Sequence, residues 1–177
     1  MNAAVEADTP CTPVRRAMTV GDLASVMAIE VRAYSHPWSQ GNFVDSLAAG
    51  HLAEVLVADR LLGYFVAMPG VDELHLLNLT VGPEHQGQGH GSTLLEAVLG
   101  LARAHRLPTV WLEVRASNER ARALYMRRGF EEVGLRRGYY PATRGREDAV
   151  VMRRQLEPAA PPPAAAVTPA REDHALD

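Results

Sequence analysis

Residues 79–92 read LTVGPEHQGQGHGS, and this stretch decides the fold. The predicted strand Leu74–Val81 enters it, and the predicted amphipathic helix Gly91–His105 follows it. Gly87, Gly89 and Gly91 remove side chains where a backbone must approach a ligand. The first amides of the helix are unpaired and lie at its positive end, so the combination is typical of a phosphate or diphosphate site. A flexible surface loop is the alternative interpretation, because three glycines alone are weak evidence.

Other nucleotide and metal motifs are absent from the sequence. The glycine-rich stretch lacks the Gly-Lys-Ser/Thr of a P-loop, and its spacing is not GxGxxG. There is no HExxH motif and no CxxC pair, so we expect no metal site. The single cysteine, Cys11, excludes an internal disulfide and is interpreted as an incidental thiol.

A second informative stretch is the predicted strand Thr109–Val114 followed by the predicted helix Asn118–Arg128, which ends at Gly129. Glu113 stands inside the otherwise apolar strand. A carboxylate there lies either at an opening of the sheet or in an ion pair with an arginine. Asn118 can simply cap the helix, and Tyr125 can simply pack in the core.

The remaining pattern completes an order of β-α-α-β-β-β-α-β-α-β-β. The other predicted elements are the strand Val14–Met18, a helix capped by Thr19 and Asp22 that ends before Pro37, the helix Trp38–Ala49 with Ser39 as its cap, the hairpin of Glu54–Ala58 and Leu62–Met68, and the strands Phe130–Arg137 and Asp148–Leu156 joined by a YYPATRGRE loop. Helices interleave with mostly antiparallel strands. This order predicts an α/β (α+β) fold, in which a mixed sheet carries helices on both faces.

Length and composition place these elements in one domain. The chain has 177 residues, 47% of them hydrophobic, and no apolar run approaches the roughly 18–20 residues of a membrane span. We expect a domain over residues 14–157, a flexible N-terminal tail over residues 1–13 and a disordered Pro/Ala-rich tail over residues 158–177. The N-terminus lacks an apolar signal-peptide core, so we expect a cytoplasmic protein.

Charge is concentrated near the second stretch. Residues 113–154 carry eleven arginines and six acidic residues, a net charge of +5, whereas the whole chain sums to −3. This local excess suits an anionic ligand but is smaller than that of a typical nucleic-acid-binding domain.

Together, these stretches resemble the GNAT acetyltransferase superfamily. Gln86-x-x-Gly89-x-Gly91 is similar to its diphosphate-binding motif, and the segment from Asn118 to Phe130 is similar to its second cofactor segment. The resemblance implies a splayed sheet with coenzyme A between two central strands. A narrower resemblance, to the RimI-type ribosomal-protein-alanine N-acetyltransferases, is carried by His36-Pro37-Trp38-Ser39, Leu76-Leu77-Asn78, Trp111–Arg115, Tyr139-Tyr140-Pro141 and Gly145–Ala149. One departure is Gly87-Gln88, where the family has a basic or polar pair.

The resemblance also implies site residues. Glu113 would be the general base and Tyr125 the general acid. The implied acetyl-CoA-binding residues are Leu79, Thr80, Val81, Gly87, Gln88, Gly89, His90, Gly91, Ser92 and Asn118. The implied peptide-binding residues are Pro37, Trp38, Tyr139 and Tyr140, although packing within a hairpin is an alternative role for the two tyrosines.

The resemblance therefore predicts transfer of acetyl from acetyl-CoA to the N-terminal alanine of a small-subunit ribosomal protein, by a monomer acting in a ternary complex. An α-amine has a pKa near ~8, against ~10.4 for lysine, so it is deprotonated more easily. We expect neither nucleic acid nor a membrane as a partner. The alternatives are a lysine or small-molecule amine acetyltransferase of the same fold, a non-catalytic acyl-CoA-binding module, and an RNA-binding accessory protein.

Overall fold

The computed structural model describes residues 12–157, so the predicted C-terminal tail and all but two residues of the predicted N-terminal tail lie outside the described residues. Within them, the chain forms seven strands and four α-helices. The strands are β1 (Val14–Ala17), β2 (Leu52–Val57), β3 (Leu61–Pro69), β4 (Glu73–Val81), β5 (Thr109–Arg115), β6 (Glu131–Pro141) and β7 (Arg146–Gln155). The helices are α1 (Leu23–Ala33), α2 (Gln40–Ala48), α3 (His90–Ala104) and α4 (Glu119–Arg127).

The strands form one sheet in the order β1-β2-β3-β4-β5-β7-β6, in which only β4 and β5 pair in parallel. Alternation along β3 gives the sheet two apolar faces. Phe65 belongs to the core that contains Leu94 and Leu95 of α3. Tyr64, the preceding residue, belongs to a second core with Val26 of α1. Helices therefore cover both faces, and the predicted mixed, mostly antiparallel sheet is confirmed.

The two parallel strands pair over only four residues. Their register runs from Glu73 opposite Thr109 to Leu76 opposite Leu112. Beyond this point β4 continues along β3 as far as Val81, whereas β5 continues along β7 as far as Arg115. Each strand follows a different neighbour, so the sheet splays and a gap opens between them, as the resemblance implied.

A β-bulge in β4 lies at the start of this gap. Leu77 is an extra residue, because Leu76 pairs with Ala67 while Asn78 pairs with Val66. One extra residue reverses which face the following side chains occupy. Leu74 and Leu76 pack in the α3 core, but Asn78 and Thr80 face the side of α1, where they make polar contacts. The bulge thus brings polar side chains to the edge of the gap.

The final hairpin is longer than predicted. Tyr139, Tyr140 and Pro141 belong to β6, so the turn contains only residues 142–145 and the predicted YYPATRGRE loop is wrong at both ends. Side-chain contacts stabilise the hairpin where its register shifts, between Arg136 and Tyr140. The carboxylate of Asp148 accepts from the Gly138 N–H at 2.7 Å, and the Arg146 guanidinium donates to the carbonyl of Tyr139 at 2.7 Å.

The predicted helix starts are correct to within a few residues. Ser39 caps α2, since its hydroxyl accepts from the Asn42 N–H at 3.2 Å, but the helix begins at Gln40 rather than at Trp38. Before α1, the carboxylate of Asp22 accepts from both the N–H and the hydroxyl of Thr19, across a 3-10 turn. None of the helices within residues 12–157 is long and apolar enough to cross a membrane.

Candidate active site in the gap of the sheet

Two adjoining cavities occupy the gap. The hairpin cavity, of about 390 Å³, lies beside the β6–β7 hairpin, and the loop cavity, of about 340 Å³, lies beside the glycine-rich loop 82–89. Four residues line both cavities: Tyr34, Leu79, Asn118 and Ala121. A molecule in one cavity can therefore reach a molecule in the other. A larger groove beside α3, of about 510 Å³, includes only Ser92 of the predicted site residues.

The loop cavity has the geometry of a phosphate site. Gly87 and Gly89 have φ angles of +83° and +88°, which side-chain-bearing residues rarely adopt. The first helical bond of α3 joins the Thr93 N–H to the Gly89 carbonyl at 3.1 Å, so the N–H groups before Thr93 have no partner within the helix. Seven of the residues that the resemblance implies for cofactor binding line this cavity: Leu79, Thr80, Val81, Gly87, Gly89, Gly91 and Ser92.

Of the three other predicted cofactor residues, one lines the loop cavity and two do not. Asn118 caps α4, because its side-chain oxygen accepts from the Ala121 N–H at 3.1 Å. Its capping role is therefore confirmed, while its amide nitrogen is not part of that bond and the residue still lines both cavities. Gln88 and His90 are not among the lining residues, and the Gln88 side chain donates to the carbonyl of Glu84 at 3.4 Å.

Glu113 lies on β5 just past the last residue that pairs with β4, and it lines the hairpin cavity. Its side chain is 20% exposed and forms an ion pair with Arg136, at 3.2 Å between Oε1 and Nη2. The two interpretations left open by the sequence therefore coexist, since the carboxylate is both at an opening and beside an arginine. The Arg136 side chain is more than half exposed, so solvent screens this pair strongly.

Tyr125 is buried on α4, with 7% of its surface exposed, yet it lines the hairpin cavity. Its ring packs against Phe130 with centroids 5.8 Å apart. Burial raises the pKa of the Tyr125 phenol above its ordinary value, and the nearby Tyr34 and Tyr140 raise it further. The phenol therefore stays protonated at neutral pH, as a proton donor must.

The predicted peptide-binding residues divide into two groups. Pro37, Trp38 and Tyr140 line the hairpin cavity, and the Tyr140 hydroxyl donates to the carbonyl of Glu113 at 3.0 Å. Tyr139 does not line it. Its ring, 41% exposed, packs edge-on against Tyr140 with centroids 4.9 Å apart. Only one of the two tyrosines is thus brought to the cavity.

Sequence reasoning missed a buried carboxylate at this site. Glu30 of α1 is 1% exposed and lines the hairpin cavity. Its carboxylate accepts from the Trp38 N–H at 2.8 Å, from the side-chain amide of Asn78 at 3.4 Å, and from the Tyr64 hydroxyl. Glu30 therefore ties the segment between α1 and α2 to the free end of β4. The signal in the sequence was the position of Glu30, a charged residue on the inward face of the predicted helix.

A second polar contact set holds the hairpin at the gap. The Arg115 guanidinium donates to Glu147 at 3.0 Å and to the carbonyl of Pro141 at 3.0 Å. Glu147 also accepts from the Ser117 N–H at 2.8 Å, and this bond, with the Arg115 contact, lowers the pKa of its carboxyl. The ring of Tyr140 lies 4.6 Å from the Arg115 guanidinium. The motif at Gly145–Ala149 thus contributes to positioning the hairpin.

Removal of the Glu30 carboxylate should destabilise the protein. In Glu30→Ala two buried donors and one partly buried donor lose their acceptor, and each unsatisfied buried donor costs about 1–3 kcal/mol. We expect the free energy of unfolding, measured in urea, to fall by about 3 kcal/mol. The matched control is Glu84→Ala, whose exposed carboxylate bonds to Arg32 and should change stability little. Equal stability of the Glu30 and Glu84 variants would contradict this role.

Comparisons with known proteins agree with this geometry. The profile of the acetyltransferase (GNAT) family matches residues 23–130. The chain is 40% identical over 132 residues to the [ribosomal protein bS18]-alanine N-acetyltransferase of Escherichia coli K12. The matched region covers 74% of this chain and 89% of that protein. The corresponding protein of Haemophilus influenzae is 37% identical over 133 residues, covering 74% of this chain and 90% of that protein.

Solved structures give the same family. The crystal structure of the ribosomal-protein-S18-alanine N-acetyltransferase from Escherichia coli superposes with a TM-score of 0.79 at 36% identity, and covers 84% of this chain and 97% of that chain. The profile match, the sequence relatives and the splayed sheet all agree. The chain therefore belongs to the GNAT family of acetyl-CoA-dependent acetyltransferases.

Proposed function

We propose that this protein transfers the acetyl group of acetyl-CoA to the N-terminal alanine of ribosomal protein bS18. The observation that carries the proposal is the 40% identity with an enzyme of that name, over 89% of its length. The two adjoining cavities support it, because a cofactor in the loop cavity and a peptide N-terminus in the hairpin cavity would meet between the splayed strands.

The proposed chemistry is direct transfer. The neutral α-amine attacks the thioester carbon, and its proton passes to Glu113, directly or through a water molecule. The carbon–sulfur bond then breaks, and the departing thiolate takes a proton from Tyr125. Residues 12–157 contain no cysteine that could carry the acetyl group between the two substrates.

The test of substrate class is mapping of the acetylated product. The protein is incubated with acetyl-CoA and a peptide that has the N-terminus of bS18, an α-amine at alanine and an internal lysine. Mass spectrometry should locate the acetyl group on the α-amine. A matched peptide with a blocked N-terminus and a free lysine should remain unmodified. Acetylation of the blocked peptide would instead support the lysine-directed alternative.

Valine at position 89 should block the cofactor. Gly89 has φ +88°, so Gly89→Val is strained and places a branched side chain beside the free amides of α3. We expect the Kd for acetyl-CoA to rise at least about 10-fold, or about 1.4 kcal/mol, by isothermal titration calorimetry. Gly100→Val, within α3 and outside the loop cavity, is the control. An unchanged Kd in a folded Gly89 variant would show that the cofactor lies elsewhere.

We further propose that the protein acts as a monomer in the cytoplasm, where its ribosomal substrate is made, and that neither nucleic acid nor a membrane takes part. The charge of residues 14–157 supports the exclusion of nucleic acid, since it sums to only +1. Retention on RNA that weakened with salt would argue against it.

A further inference from the structure

The glycine-rich loop has no arginine or lysine at positions 87 and 88. Its turn contains Gly87 and Gln88, whereas the resemblance to the family implies a basic or polar pair there. The diphosphate of coenzyme A carries two negative charges, and backbone amides neutralise them only partly through the helix dipole. A source of positive charge from another element would compensate.

Helix α4 supplies two arginines to the same cavity. Arg120 and Arg127 both line the loop cavity, together with Gly87, Gly89 and Ser92. They are seven residues apart, which is about two helical turns, so they share one face of α4. The loop cavity is therefore lined both by the glycine-rich loop with the start of α3 and by two arginines of α4.

The Arg120 guanidinium lies directly beside Gly87 of the loop. Its Nη1 donates to the side-chain oxygen of Gln86 at 3.1 Å, and its Nη2 lies 3.5 Å from the position of a Cβ built on Gly87. The guanidinium is thus held against the turn of the glycine-rich loop. The charge that the loop lacks is present at the same place, carried by α4.

Within the part of the chain that the structure describes, no carboxylate neutralises either guanidinium. Among residues 12–157, Arg120 and Arg127 form no salt bridge, whereas their neighbours Arg122 and Arg128 pair with Glu132 and Glu96. Arginine presents parallel N–H groups that match phosphate oxygens, and such charged hydrogen bonds are the strong ones. We propose that Arg120 and Arg127 bind the diphosphate of coenzyme A, in place of a basic residue in the loop. This inference rests on the cofactor of the proposed function.

Calorimetric titration of the full-length protein without peptide tests the inference. The ligands are coenzyme A and 3′-dephospho-coenzyme A, which share the diphosphate. We expect Arg120→Gln and Arg127→Gln each to raise the Kd about 5-fold, and the double variant about 30-fold, for both ligands alike. Arg60→Gln, an exposed arginine beside Asp59, removes the same charge elsewhere and should leave both Kd values unchanged.

Two results would overturn the assignment. An unchanged Kd in the double variant would show that the arginines do not touch the cofactor. A loss confined to coenzyme A would show that they bind the 3′-phosphate instead of the diphosphate. Failure of the bS18 peptide to be acetylated would leave this binding measurement intact, so the two proposals fail separately.

Discussion

Replacement of Glu113 by glutamine should lower kcat by about 10²–10⁴-fold at neutral pH, because the amide keeps the shape of the side chain but cannot accept the proton of the amine. The deficit should shrink as pH rises. An α-amine with a pKa near ~8 loses its proton to solvent at higher pH and then needs no base. The measurement is kcat as a function of pH for wild type and Glu113→Gln, at saturating acetyl-CoA.

The ion pair of Glu113 with Arg136 provides the matched control. Arg136→Gln breaks the same pair, at 3.2 Å, but leaves the carboxylate in place. If Glu113 acts as the base, this variant should retain most of the wild-type kcat, since the Arg136 side chain is more than half exposed and solvent screens its charge. Similar losses of kcat in the two variants would indicate that the rate depends on the ion pair rather than on proton acceptance by Glu113. A wild-type kcat in Glu113→Gln would exclude Glu113 as the general base and leave it only the structural role of pairing with Arg136.

The order of the elements was predictable because each local signal is strong. Helix periodicity, helix caps and helix ends depend only on residues that are close in the sequence. The structure confirms the helix predicted at Gly91–His105, the cap at Ser39 and the helix end at Gly129. The splay was not predictable from the residues alone. It depends on the register at which β4 leaves β5, at Leu76 and Leu112, and strand pattern does not fix register between distant segments.

The same limit explains the site residues that sequence reasoning missed. Glu30 falls at a helical position next to Ile29, so periodicity assigns it to the core without showing its partners. Those partners, Tyr64 and Asn78, lie 34 and 48 positions away along the chain. The sequence shows that Arg120 is one of the arginines of the positively charged stretch, but its position beside Gly87 depends on how α4 packs against the glycine-rich loop. Long-range packing, rather than local propensity, decides both.

Tyr125→Phe should lower kcat by about 10²-fold while it leaves the ring packed and the Kd for acetyl-CoA nearly unchanged. The variant removes one hydroxyl, the group that supplies the proton for the departing thiolate in the proposed mechanism. Burial raises the pKa of this phenol, so it is protonated throughout the neutral range and the loss of kcat should not depend on pH there. A thiol with a pKa near ~8.5 is a fair leaving group without help, which places the effect near the low end for general acids.

A packing role and a catalytic role of Tyr125 predict opposite effects of this substitution on Tm and kcat. If Tyr125 served only the core, Tyr125→Phe would lower Tm and leave kcat near normal. The control is Phe130→Leu, which removes the ring packed 5.8 Å from Tyr125 but keeps the hydroxyl. We expect it to lower Tm without a 10²-fold loss of kcat, because a large-to-small core change costs stability. A normal kcat in Tyr125→Phe would exclude the phenol as the acid and make water the source of the proton.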